Sequence, residues 1–461
     1  MADVAVIGGG VSGLSAAYEL MRRGVTFELF EQAPVCGGVV VTDTVAGYTI
    51  DAGPDSLLTQ KPAAIALCGE LGLTARLQGL QTRETHVLRG GRLRQLPPTS
   101  VFGLPTRWLP FVTTDAFSWP AKLRMAAEVA VPPRHDEAAE DDESIASFMA
   151  RRFGQASVDS LAEPLLAGIH GGDPERLSMR SGFPRLVDLE SRYGSVIAGL
   201  RRMPHQSTAS PFVSLPEGMA GFTAAIARAL PPRSVHVNAR IERIRPAAGG
   251  YLLEPAGGGK LHLAHAVVLC TPPAATAQLL GGIDANLAAL CGRVSSTSAV
   301  TVALGFARSA VRHPLNGTGF VVPRSEGISL RAVSWVSSKW DHRAPAGKVL
   351  LRAYLGGAGD PTAIDRSAAD LAGIVHRELT GILHLVDEPE LARVYPWRGA
   401  TPQIEVGHAA LMRTIDQALD RHPGLFVSAS GFRGTGIPDC VADARRQAGV
   451  AAAALVPAVS T

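Results

Sequence analysis

Residues 3–31 constrain this chain more than any other stretch does. The apolar run DVAVIG ends in glycines, GGVSGLSAAYELMRRG follows with helical periodicity, and TFELFE returns to a strand pattern. Strand, glycine turn, helix and second strand make a βαβ half-unit, which predicts a parallel sheet. Gly8, Gly10 and Gly13 take the Gly-x-Gly-x-x-Gly spacing where the strand ends and the helix opens. Glycines there let the backbone approach a pyrophosphate at the helix N-terminus, where partial positive charge gathers. Glu31, 18 residues beyond Gly13 at the end of the second strand, is positioned to accept from adenosine ribose hydroxyls. The pattern predicts a bound dinucleotide, and an acidic residue where an arginine would meet a 2′-phosphate argues against NADP.

Two further segments favour FAD over NAD. VCGGVVVTDTVAGYTIDAGPDS follows Glu31 as a glycine-rich, strand-like strip, and GFRGTGIPDC sets another glycine turn ahead of a C-terminal helix. A helix that returns to the cofactor caps an isoalloxazine with its positive end, which suits the charge that develops on the reduced ring. A nicotinamide dehydrogenase needs no such return.

The 461 residues exceed what one core organises, so two or three domains are expected. Apolar content is 46% and charge only 18%, yet no run reaches the roughly 18 uninterrupted apolar residues of a spanning helix. The first strand begins almost at once and leaves no room for a signal peptide, so a cytoplasmic protein is expected. Five cysteines without a CxxC pair suggest reduced thiols, with neither a disulfide framework nor a metal site. A net charge of +3 with scattered basic residues argues against nucleic acid as a partner, and the acidic run Asp136 to Glu143 reads as a solvated loop. Residues 100–211 are proline-punctuated and then helical, with SIASFMARRFG and SVDSLAEPLLAG the clearest amphipathic pieces. SVHVNARIERI to AHAVVLCTPP reads as a β-meander, and TSAVTVALGF, GTGFVVP, ISLRAVSWV and KVLLRAYLGG as four strands of a second sheet.

Nearly end to end, the chain resembles the FAD-dependent protoporphyrinogen oxidases, most closely their Gram-positive-type coproporphyrinogen III oxidase branch. The resemblance is carried by VAVIGGGVSGLSAAYEL, DAGPDSLLTQKPAAIALCGELGL, AEPLLAGIHGGDPERLSMRSGFP, STSAVTVALGF, GKVLLRAYLGGAGD, TPQIEVGH and GFRGTGIPDC. It implies an α/β architecture with a Rossmann-like FAD-binding domain (1–80, 212–275 and 400–461), a sheet-based substrate domain (81–100 and 276–399) and a mostly helical insertion (101–211). Besides Gly8, Gly10, Gly13 and Glu31, it implies cofactor contacts at Gln32, Gly38, Gly53, Pro54, Asp55, Ser56, Ile241, Trp397, Thr435, Gly436 and Ile437. Lys61 matches a basic position that meets a substrate propionate, and Trp335 and Phe320 are expected to line an apolar slot. The chain departs from the family pattern at Val35, Cys36, Ile404, Ala429 and Asp443, and in the loop around Ile169 and His170. The imidazole of His170 is expected to help select the substrate.

The implied reaction removes hydride from a methylene bridge of a porphyrinogen, with dioxygen as acceptor, in haem biosynthesis. FAD is expected to be non-covalent, and no side-chain base declares itself. Small-molecule substrate and dioxygen are the expected partners, with peripheral membrane contact possible through the helical insertion. Rival readings are an amine or specialised-metabolite oxidase on the same fold, a flavin-dependent sugar-nucleotide mutase, and a flavin-holding scaffold.

Overall fold

The computed structural model describes residues 2–97, 104, 108–134, 142–167, 171–203 and 210–455. Its first strand, Ala2–Ile7, lies between Phe27–Phe30 and His262–Leu269 and runs parallel to both. Val4 and Val6 point into one core cluster and Ala5 and Ile7 into another, so the sheet is covered on both faces. Val235–His236 extends one edge beyond Phe27–Phe30, while Gly250–Pro255 and Ile241–Ala247 extend the other by antiparallel pairing. The helices Val11–Arg22 and Ile437–Leu455 pack together over one face, where Ala16, Ala17, Ala444, Ala448 and Ala451 are all buried and let the backbones approach.

A second sheet has the order Leu391–Pro402, Ser296–Ala307, Lys348–Gly356, Ala332–Trp335, Gly319–Val321, His86–Arg89, Arg92–Gln95. The helix Ala368–Leu383 covers one face of it through Leu371, Val375, Leu379 and Leu383, one residue per turn. Leu391–Pro402 contains Pro396 and Pro402 and is not among the four expected strands, yet it is a full strand. It stands at the sheet edge, where a proline's missing N–H costs no ladder bond.

The described residues between 108 and 203 are mostly helical. VDSLAEPLLA is wound wider than an α-helix, as a π-helix over Val158–Ala167 with Pro164 inside it. Proline cannot donate an i→i−4 bond, so the turn is relaxed there rather than tightened. Among the described residues, no helix is long and apolar enough to cross a membrane.

Candidate functional site

Gly10 caps the helix Val11–Arg22 with no side-chain hydrogen bond, and the first turn carries no acidic residue. The leading N–H groups are therefore open to an anion. A Cβ on Gly13 would stand 1.8 Å from the Gly8 carbonyl oxygen, so only glycine permits this approach of helix to strand. The buried Glu31 carboxylate accepts from the Gly9 N–H at 2.6 Å and from the Ala33 N–H at 2.7 Å. Gly10 bridges to Gly37, whose N–H donates to the Gly9 carbonyl at 2.9 Å. A Cβ on Gly38 would lie 3.1 Å from the Gly10 Cα. Glycine walls, open amides and a carboxylate together form a cradle with the donors and acceptors that a dinucleotide needs. Gln32 is exposed at its mouth, and Ile241 is buried at the start of its strand. Burial, with the Glu31 carboxylate adding to it, pushes the neighbouring Cys36 thiol up to about 11, so it stays protonated.

The strip from Asp51 to Ser56 crosses to the second sheet. A Cβ on Gly53 would come 2.0 Å from the Val39 carbonyl oxygen and 3.7 Å from Cζ2 of Trp397. Trp397 Nε1 donates to the Ala52 carbonyl at 3.1 Å. The Arg352 guanidinium donates to the Asp51 carbonyl, to the Gly53 carbonyl at 3.1 Å and to the Tyr354 hydroxyl. Asp55 sits 2.8 Å from Lys339 Nζ and 3.2 Å from Arg352 Nη2, and accepts from the Ser56 hydroxyl at 2.9 Å. Burial would raise its carboxyl, but the two cations and these hydrogen bonds hold it well below the usual carboxylate range. Burial pushes the Tyr354 phenol up to about 12 against the pull of Arg352.

Thr435, Gly436 and Ile437 form the turn into the C-terminal helix. The Gly431 N–H donates to the Gly434 carbonyl at 2.9 Å and the Ser430 hydroxyl to the Thr435 carbonyl at 3.3 Å. Arg433 ties the turn to the Val427 carbonyl at 2.8 Å and to the carboxylate of Asp416. Asp443 is buried and accepts from the Ser428 hydroxyl at 2.7 Å and from Arg446 at 2.6 Å. Ala429 packs into the core with Val427 and Phe432. Lys61 Nζ lies 2.7 Å from the Asp439 carboxylate, in a half-exposed pair at the start of that helix.

Two of the expected slot residues lie elsewhere. Phe320 and Trp335 are buried on the face covered by the helix Ala368–Leu383, with the Trp335 ring tilted against those of His86 and His313. Strand alternation is the reason: Trp335 shares a face with Val333, whereas Ser334 pairs with Arg352 on the other face. That other face brings Arg352 and Tyr354 to the Asp51–Asp55 strip, and neither was among the expected residues. Lys339 was missed as well. The signal for the first two is legible in KVLLRAYLGG, where an arginine and a tyrosine stand two apart in an apolar strand. Ile169 and His170 lie outside the described residues; the next residue, Gly171, accepts from the Ala358 N–H at 2.9 Å.

The geometry can be set beside known proteins. The sequence pattern of the flavin containing amine oxidoreductases matches residues 11–452. Coproporphyrinogen III oxidase of Bacillus subtilis (strain 168) is 34% identical over 453 residues, covering 95% of each chain. Chloroplastic protoporphyrinogen oxidase 1 of Spinacia oleracea is 27% identical over 97% of this chain and 83% of its own. A crystal structure from Exiguobacterium sp. 255-15, provisionally assigned as a protoporphyrinogen oxidase, superposes with a TM-score of 0.86 at 28% identity over 98% of both chains. With its dinucleotide cradle, its second sheet and a pattern match over almost its whole length, the chain belongs to the flavin containing amine oxidoreductase family.

Proposed function

We propose that the chain is an FAD-dependent oxidase that converts a porphyrinogen, coproporphyrinogen III or protoporphyrinogen IX, to the porphyrin with dioxygen as acceptor, in haem biosynthesis. The names of the relatives support the substrate class. The observation that carries the reading over an amine oxidase is the charge beside Gly53: Lys339 and Arg352 share the carboxylate of Asp55, Arg343 pairs with Asp51, and Lys61 pairs with Asp439 at the start of the C-terminal helix, four cations to three carboxylates. An excess of cation suits a substrate bearing carboxylates and opposes a cationic amine.

The chemistry FAD supplies when bound is hydride acceptance, with return of the electrons to dioxygen as hydrogen peroxide. The chain's own part is binding and orientation. In this reading the open helix end, with Gly8, Gly10 and Gly13, takes the pyrophosphate; Glu31 takes the ribose, and Gln32, Gly38 and Ile241 border the adenosine. Gly53 to Ser56 and Trp397 flank the ring, and Thr435, Gly436 and Ile437 cap it. Arg352 holds the carbonyls of Asp51 and Gly53 in place, and no side chain is assigned as a base. We extend the reading to peripheral membrane contact through the helical insertion, residues 101–211.

The test is direct. The purified protein is expected to be yellow, to release one FAD per chain on acid precipitation, to bleach anaerobically on mixing with coproporphyrinogen III, and to form fluorescent porphyrin and peroxide in air. Bleaching by putrescine instead would assign it to amines, and flavin left on the precipitate would contradict non-covalent binding.

Lys61 offers a finer test. Its pair with Asp439 is half-exposed and so worth about 0–1 kcal/mol, which leaves the ammonium able to turn to a propionate. Lys61→Ala is expected to raise KM about fivefold to tenfold with the flavin spectrum unchanged. Asp439→Asn, which frees the ammonium, is expected to lower KM. Changes of the same sign in both variants would remove Lys61 from the substrate.

A further inference from the structure

The turn ahead of the C-terminal helix is gripped from outside by the helix His408–Leu419. That helix turns His408, Leu411, Met412, Ile415 and Ala418 inward, so an imidazole stands at the head of an otherwise apolar stripe. His408 Nε2 lies 2.7 Å from the Phe432 carbonyl oxygen. A carbonyl can only accept, so Nε2 carries the hydrogen and donates. Two turns further along, Asp416 pairs with Arg433, whose guanidinium also donates to the Val427 carbonyl at 2.8 Å. One helix therefore holds two consecutive residues, Phe432 and Arg433, immediately ahead of Gly434. The two holds differ in strength. The Asp416 carboxylate is half-exposed and its pair is screened by water, whereas His408 and Phe432 are both buried and their bond has no solvent to replace it.

His408 is itself located by the helical insertion. Gly407, just before it, has φ +84° and no side chain with which to cap the helix. Asp142 of the insertion takes that place, accepting from the Gly407 N–H at 3.2 Å and from the Ser178 hydroxyl at 2.9 Å. The Ser178 N–H donates to the Ile404 carbonyl at 2.8 Å, and the Val406 N–H to the Arg176 carbonyl at 2.9 Å. Glu405 pairs with Arg176 at 3.0 Å and accepts from the Ser295 hydroxyl at 2.9 Å. Burial holds the imidazole below the ordinary histidine value, although the Phe432 carbonyl, Asp142 and Glu405 pull the other way, so the ring donates in its neutral form.

We propose that His408 is a positioning residue for the cofactor: its bond to Phe432 fixes where the turn Gly431–Gly436, and with it the start of the C-terminal helix, stands relative to bound FAD. This rests on the assignment of Thr435, Gly436 and Ile437 to the flavin ring made above. The turn cannot place itself. Gly431 and Gly434 have φ of +100° and +146°, and glycine carries little conformational preference of its own. The bonds from the Gly431 N–H to the Gly434 carbonyl and from the Ser430 hydroxyl to the Thr435 carbonyl close within the turn, so they set its shape and not its location. Location comes from the helix that holds Phe432 and Arg433. The positive end of a helix acts on a charge only within its first turn, so a small displacement weakens its hold on the reduced flavin.

Variants of the full-length holoprotein test the assignment. His408→Gln sets an amide N–H the same number of bonds from Cβ as Nε2 and keeps the donor. His408→Asn ends one bond short, at the place of Nδ1, and loses it. His408→Asn and His408→Ala are expected to release FAD about tenfold faster than the parent on dilution, and His408→Gln within about twofold of it. The flavin still bound in the Asn and Ala variants is expected to show a shifted absorption band and a more negative reduction potential. Asp142→Ala is expected to speed FAD release about threefold, and to add little when combined with His408→Ala, because both act through one bond. A histidine that only supported the fold would lower the urea midpoint of its variants while leaving the potential and spectrum of bound flavin as in the parent. That result would overturn the proposal, as would equal FAD release from the Gln and Asn variants. If His408→Ala does not fold, the contrast between Gln and Asn decides the matter by itself. A parent that binds no FAD would overturn the oxidase reading and this proposal together, whereas a flavin-loaded parent matched by His408→Asn would overturn this proposal alone.

Discussion

Gly13→Ala is expected to give a protein that retains no flavin after desalting and unfolds at a much lower urea midpoint. The added methyl would stand 1.8 Å from the Gly8 carbonyl oxygen, 2.9 Å from its carbon and 3.4 Å from Cys270 Cβ. Two of these atoms are backbone of the turn itself and cannot swing aside as a flexible side chain can. The helix Val11–Arg22 must lift from the sheet, which moves its open N–H groups and separates Gly10 from Gly37. Overpacking of this kind costs about 1–3 kcal/mol when side chains yield, and about 3 kcal/mol or more is expected here. Gly24→Ala is the control: its φ is +72° but nothing lies within 4 Å, so only about 1 kcal/mol of backbone strain is expected and flavin content should be unchanged. Full flavin occupancy in Gly13→Ala would remove the cradle from the cofactor.

The N-terminal half of this site is legible in sequence because its determinants are local. The apolar run over Ala2–Ile7, buried almost throughout, the glycine spacing and Glu31 all fall within thirty residues, and each constrains the next. The far half depends on parity in a sheet assembled from distant strands. Trp335 and Phe320 attract attention by size, yet the face a residue occupies is set by counting along the strand, and Ser334 and Arg352 win that count. Arg352 and Tyr354 are visible as polar residues at alternate positions, but their partner Asp55 lies about 300 residues earlier, and Lys339 follows on a short helix with no periodicity of its own. Sequence alone cannot pair charges at that separation. Leu391–Pro402 is hidden for a different reason: its two prolines are admissible only because the strand lies at an edge, which is a property of the whole sheet.

Asp55→Ala is expected to destabilise the protein by about 3–5 kcal/mol, because it leaves Lys339 in the interior without its ion-pair partner and takes from the buried Arg352 the carboxylate it pairs with. Asp55→Asn keeps a hydrogen-bonding shape but not the charge and should fall only slightly short of that loss. The effect has a definite pH window. The folded-state carboxyl is held well below the unfolded value of about 3.9, so its ionised form contributes stability that is fully present above that pH. The contribution is lost as pH falls toward the folded value in strong acid. The gap in unfolding free energy between parent and Asp55→Asn should therefore be flat from neutrality to about pH 5 and narrow below about pH 4. A gap that widened on acidification would mean that Asp55 is protonated in the fold, contrary to its two ion pairs. Removing charge from both sides completes the argument: Asp55→Asn combined with Lys339→Met leaves only Arg352, whose guanidinium keeps the carbonyls of Asp51 and Gly53 and the Tyr354 hydroxyl as acceptors. That double variant is expected to recover a large share of the lost stability, since taking out both members of a buried pair costs far less than taking out one. Its KM for coproporphyrinogen III is expected to stay close to the parent's, because one cation and the carboxylate that balanced it have gone together and the excess of positive charge beside Gly53 is unchanged.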